Sequence, residues 1–371
     1  MYNPFKRAQS KVKRQIRRNT AAAVASMFEP FRPPKPKTKR KTTKTAKPAT
    51  KTATKPRARA SKASQTAKTP ATSRAKTTTP RGASFKRGVH VCEFGQRSFN
   101  LYTPVSAKTA TGPLPLLVML HGCGQTPDDF ARGTGMNVLA EEFGFLVVYP
   151  AQERRTQIYR CWNWYKRDDQ GRGQGEPALI ASLTRRVIAE NDIDPAKVYI
   201  AGLSAGASAS LIIASAYPDI FAAVGAHSGL PVGAAHDERS AIVAMQHGAP
   251  GDRNLVPMPT INFHGGSDKV VHPRNGRFVA SRALEPYSHL PKSEKTGRVP
   301  GGRKYVKTMH RIGKGRSFVE QWVIADSGHA WSGGNAAGSY TDPDGPDASR
   351  AMVRFFLRHR TTVKRRSAAP A

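Results

Sequence analysis

Acidic residues are scarce in this 371-residue chain, and the scarcity is uneven. Asp and Glu total 25 against 60 Lys and Arg, a formal net charge of +35. Residues 1–88 hold 26 of the basic residues and a single acid, Glu29, so they carry +25; the remaining residues carry +10. A chain that is basic throughout, as ribosomal and histone-like proteins are, is excluded, and the charge is not a property of the fold. No run approaches 18 consecutive apolar residues, so no membrane-spanning helix is encoded and the chain is expected to be soluble. Cysteine is rare, three in all, and an odd count leaves at least one without an intramolecular partner. No internal repeat is visible.

Residues 32–81 lack aromatic and large aliphatic side chains altogether and consist almost entirely of Lys, Arg, Thr, Ala, Pro and Ser. Such a segment cannot bury enough surface to offset its ordering entropy, so a disordered tail is expected. A solvated linker is one reading of it. Binding to a polyanion such as nucleic acid or an anionic membrane surface is the other, because clustered cations gain from counterion release. Residues 4–28 differ: Phe5, Ala8, Val12, Ile16, Ala23 and Met27 recur at three- and four-residue steps among Lys11, Lys13, Arg14, Arg17 and Arg18. That spacing predicts a basic amphipathic helix suited to a granule or membrane surface. The apolar stretch 21–28 is too short and too polar for a secretory signal, although Arg17-Arg18 leaves a twin-arginine reading open.

From residue 89 to about 360 the pattern becomes that of a globular body, with 361–371 a short basic tail. Two alternating runs, 89–94 and 97–102, predict an antiparallel hairpin. Apolar strand-like runs at 114–120, 145–149, 197–201, 221–226, 260–264 and 318–324 alternate with helical spacing at 130–143, 178–190, 205–216 and 349–358. This alternation predicts an α/β fold with a mainly parallel central sheet covered by helices on both faces. Residues 285–316 are basic and aperiodic and read as a surface loop.

Within that body, Gly202-Leu-Ser204-Ala-Gly206 matches G-x-S-x-G. Taken alone the motif is weak. Here it follows a strand and opens a small-residue helix, the context of a nucleophile elbow, in which flanking glycines permit a strained turn that projects the serine hydroxyl. Asp268 follows the strand 260–264, and His329 lies in the loop after 318–324, so Ser, Asp and His come in the order this architecture requires. The expected roles are nucleophile for Ser204, general base for His329 and orienting carboxylate for Asp268. Asp326 is the rival acid, read as capping a strand end; His121, His264 and His272 are read as structural. Two backbone N–H groups should form an oxyanion hole, one at Ala205 and one at Cys123, with Gly124 the alternative to Cys123. Acylation and hydrolysis by this set require no metal and no cofactor. Trp162, Trp164 and Trp331 flank the motifs. Core packing competes with a hydrophobic wall for an acyl chain, for which Trp162 and Trp331 are the candidates.

HGCGQT (121–126), CWNWY (161–165), AGLSAGA (201–207), FHGGSD (263–268) and GHAWSGG (328–334) together resemble the polyhydroxybutyrate depolymerase family of esterases, to which feruloyl and acetylxylan esterases are related. The resemblance covers about residues 89–360 and implies an α/β-hydrolase acting on an ester or polyester through Ser204, Asp268 and His329. Polyhydroxybutyrate or short hydroxyalkanoate esters are the first expectation and feruloyl or acetyl esters of polysaccharide the second. A peptidase on the same fold and a non-catalytic binder acting through the tail are weaker alternatives. The resemblance also implies an extracellular enzyme, but the chain shows no convincing signal, which leaves a cytoplasmic location equally open. Cys123 and Cys161 fall inside its motifs, so a disulfide between them would fit an exported protein, with Cys92 left free.

Overall fold

The computed structural model describes residues 79–362 except 254, 255, 288 and 314. The expected helix at 4–28, the stretch 32–78 and residues 363–371 lie outside the described residues. The folded body begins at Ser84, inside the segment read as tail, because β1 (Ser84–Cys92) pairs along its whole length with β2 (Gly95–Thr103). At the other end Thr361 is buried and its N–H donates to Ala196 O.

Ten strands form one sheet in the order β1-β2-β4-β3-β5-β6-β7-β10-β9-β8. Its centre is parallel: β4 (Leu146–Pro150), β3 (Leu114–Leu120), β5 (Ile193–Leu203), β6 (Ala223–His227), β7 (Thr260–Gly265) and β10 (Ser317–Ile324). Both edges are antiparallel. Six of the seven residues of β3 are buried, as continuous apolar runs require when helices cover both faces. The period of two sorts them: Leu116, Val118 and Leu120 enter one core, and Leu117 and Met119 the other.

The first core lies beneath α3 (Gly175–Glu190), α4 (Ala205–Ala216) and part of α6 (Arg274–Leu284); α5 (Glu238–His247) also packs on that side. The second lies beneath α1 (Pro127–Thr134), α2 (Met136–Phe143) and α7 (Ala348–Phe356). The helical spacing at 130–143 is thus two helices, broken where Gly135 adopts φ 62° and caps both. Helices α5 and α6 are elements that the sequence patterning did not predict.

Residues 285–316 are not a loop. They contain β8 (Lys292–Arg298) and β9 (Lys304–Arg311), an antiparallel pair that extends the sheet at its edge. β8, reading KSEKTGR, has no apolar residue, so no alternation betrays it; a lysine-bearing edge strand of this kind discourages pairing with another chain. Among the described residues no helix is long and apolar enough to cross a membrane.

Candidate active site

Every candidate catalytic group sits where a central strand meets its following loop. Ser204 joins β5 to α4 with φ 57° and ψ −121°, a conformation costly for any residue with a Cβ. Its N–H donates to His227 O at 2.9 Å, and its carbonyl accepts from the N–H groups of Ala207 and Ser208, both at 3.0 Å. The flanking glycines are demanded by space. A Cβ on Gly202 would lie 2.4 Å from the Gly206 carbonyl, and one on Gly206 2.2 Å from Leu120 O. Strand, turn and helix therefore close tightly around the serine.

Asp268 follows β7. Its Oδ1 accepts the N–H groups of Val270 and Val271, both at 2.9 Å, and its Oδ2 lies 2.8 Å from His329 Nδ1. Burial works against the charged carboxylate, but the bond to His329 and the nearby imidazoles outweigh it and hold the pKa below the ordinary value. Asp326, by contrast, is exposed, adopts φ 58°, and is held through its carbonyl by Arg303. His264 is fully buried, with Nε2 2.8 Å from Val271 O and 3.5 Å from Asp268 Oδ2. His272 accepts on Nδ1 from the Arg274 N–H.

After β3, the loop 121–125 offers two distinct kinds of N–H. Gly122 donates to Gln125 Oε1 at 2.9 Å and Gly124 to Tyr159 O at 2.8 Å, which commits both glycines. Cys123 lies between them and is disulfide-bonded to Cys161; Cys92 is free. Behind the loop His121 donates from Nδ1 to Gly122 O and accepts the Gln152 N–H on Nε2 at 3.0 Å. Burial pushes its pKa down to about 4, so the ring is neutral and can hold both bonds. Gln152 also donates to Cys161 O and to Glu176, and Glu176 pairs with Arg97 in a buried network. Sequence reading missed this network, because Arg97, Gln152 and Glu176 are far apart in the chain and belong to no motif.

The tryptophans do not form a substrate wall. Trp162 has no exposed surface, its Nε1 donates to His121 O at 2.9 Å, and Arg97 lies over its ring. Trp331 is equally enclosed, bonded through Nε1 to Ser349 Oγ and packed edge-on to Phe130. Both are interior groups that brace the loops, and Trp164 is buried too. A large ring beside a motif satisfies packing demands before it can meet a ligand. Among the described residues no group of three or more His, Cys, Asp or Glu could hold a metal ion.

The family model described as Esterase PHB depolymerase matches residues 97–290, more than half of the chain. The chain belongs to that family. This member of the family is 32% identical over 229 residues to the poly(3-hydroxyalkanoate) depolymerase C of Paucimonas lemoignei, covering 58% of this chain and 54% of that enzyme. It therefore spans about half the length of that relative. It is 28% identical over 280 residues to the feruloyl esterase B of Neurospora crassa, covering 70% of this chain and 88% of the relative. Among solved structures, an acetyl xylan esterase from Aspergillus awamori superposes with a TM-score of 0.57 at 20% identity, covering 74% of this chain and 99% of that one. That likeness places the body in the α/β-hydrolase fold.

Proposed function

We propose that this esterase cleaves carboxylic esters by a Ser204–His329–Asp268 triad. The observation that carries the reading is the strained Ser204 turn together with the Asp268–His329 bond, which follow the ends of β5, β7 and β10 in one sheet. His329 Nε2 takes the Ser204 Oγ proton as the oxygen attacks the ester carbonyl. The Cys123 and Ala205 N–H groups receive the oxyanion, Gly122 and Gly124 being committed elsewhere. Collapse of the intermediate expels the alcohol, which takes its proton from His329 and leaves an acyl-serine. Water, deprotonated by the same imidazole, then releases the acid.

The proposed substrates are polyhydroxybutyrate or short hydroxyalkanoate esters, supported by the depolymerase relative. Feruloyl or acetyl esters of polysaccharide are the second reading, supported by the fuller coverage of the feruloyl esterase. The basic segment ahead of Ser84 is proposed to govern adsorption to granules or polyanions rather than chemistry. Deleting residues 1–78 then leaves turnover of a soluble ester unchanged and weakens salt-sensitive adsorption. Two assays test the main reading. Hydrolysis of p-nitrophenyl butyrate that survives Ser204→Ala overturns the nucleophile. Rates on amorphous polyhydroxybutyrate, methyl ferulate and acetylated xylan rank the substrates, and turnover of the last two alone rejects the first reading.

A further inference from the structure

Ser204 and His329 come from strands that are not neighbours. β5 delivers the serine and β10 leads to the histidine loop, while β6 and β7 lie between them. One buried residue reaches across. His227, the last residue of β6, accepts the Ser204 N–H on its carbonyl oxygen at 2.9 Å. Its ring Nε2 accepts the N–H of Ser332, three residues beyond His329, at 3.0 Å. The same residue thus holds the nucleophile turn by its backbone and the histidine loop by its side chain.

The surroundings enclose the ring. It has no exposed surface and lies between Phe263 of β7 (ring centroids 5.8 Å apart, planes 12° from parallel) and Trp331 (5.2 Å, 27°). Because Nε2 accepts, the ring proton sits on Nδ1, which is 3.2 Å from Ser228 Oγ. Burial, reinforced by the neighbouring His264 and His329, pushes the pKa down to about 3, so the ring is neutral and Nε2 can accept at neutral pH. A strand-end residue needed only to fill the space between Phe263 and Trp331 would be phenylalanine. The imidazole adds to that shape an acceptor for the buried Ser332 N–H and a donor toward Ser228 Oγ.

We propose that His227 is a positioning residue that sets the separation of Ser204 and His329 by tying the two loops together. The proposal rests on the reading of Ser204 as nucleophile and His329 as base. A histidine loop released by even an ångström leaves the proton-transfer geometry, which lowers the rate of acylation without weakening substrate binding.

The test uses the full chain. His227→Phe keeps the ring stack and deletes the acceptor; His227→Gln keeps an acceptor oxygen and gives up the stack. The Phe variant, with an unchanged far-ultraviolet circular dichroism spectrum, is expected to lose about thirtyfold or more in kcat on p-nitrophenyl butyrate with KM within about twofold. Phosphorylation of Ser204 by diethyl p-nitrophenyl phosphate should slow in parallel. The Gln variant should return kcat to within about fivefold of the parent. A Phe variant with parental kcat, a loss confined to KM, or a Gln variant that fails to recover kcat or fails to fold overturns the proposal. Should only the Phe variant fail to fold, the Gln variant decides by the same threshold. Activity retained by Ser204→Ala removes the nucleophile assignment on which all of this rests. An inactive Ser204→Ala beside a fully active His227→Phe removes the positioning role alone.

Discussion

Asp268 Oδ2 lies 2.8 Å from His329 Nδ1 across 61 residues of chain, while Asp326, only three residues from that histidine, faces solvent. The carboxylate behind the imidazole is therefore delivered by β7 and not by the histidine's own loop. Asp268→Asn should lower kcat/KM for p-nitrophenyl butyrate by about a thousandfold or more, since an amide favours the wrong imidazole tautomer. Asp326→Asn should stay within about threefold. Equal losses in the two variants would reject the assignment.

The turn at Ser204 predicts an asymmetry among glycines. Gly206→Ala would push a methyl group to 2.2 Å from Leu120 O, whereas at Gly112 nothing lies within 4 Å of the new Cβ. The first substitution is expected to cost several kcal/mol or abolish soluble expression, and the second to change stability by less than about 0.5 kcal/mol. Thermal melts of the two variants against the parent decide it.

One disulfide closes the loop behind the proposed oxyanion hole. Chain-entropy reasoning for the 38-residue separation of Cys123 and Cys161 gives it about 4 kcal/mol of stabilisation. Alkylation of unfolded, unreduced protein should label one thiol, Cys92, and reduction should raise the count to three. A Cys161→Ser variant that melts at the parental temperature would show that the bridge contributes nothing.

Buried neutral histidines make the fold acid-sensitive. His121 and His227 are pushed down to about 4 and about 3 from an ordinary value near 6.5, chiefly by burial. Between those values the unfolded chain binds protons that the folded one refuses. Their contribution is thus complete above about pH 6.5 and falls as pH drops, by about 2 kcal/mol per group at pH 5. Glu176 and Asp169, whose carboxyls burial raises, act in the opposite sense. The informative comparison is therefore between parent and His227→Phe, whose urea stability should fall about 2 kcal/mol less between pH 7.5 and pH 5. Parallel curves would contradict a neutral, buried His227.

Trp331 should behave as core. Trp331→Ala is expected to lower stability by about 3–5 kcal/mol, while the folded fraction keeps KM for p-nitrophenyl butyrate within about threefold. A large rise in KM in a stable variant would restore it to the substrate site.

Much of this molecule was legible from residue order. The elbow could be read because its causes are short in range: a strand, two glycines that admit a close backbone approach and a small-residue helix all fall between Ile193 and Ala216. The central strands were legible for a similar reason, since burial on both faces leaves long unbroken apolar runs such as Leu114–Leu120. The edge pair β8 and β9 was hidden, because an exposed strand needs no apolar alternation and only its partner reveals it. The Asp268–His329 contact, the enclosure of Trp162 and Trp331, the joining of Arg97, Gln152 and Glu176, and the place of His227 between two loops all depend on packing. Each depends on groups brought together from distant parts of the chain, and no local propensity records which groups those will be.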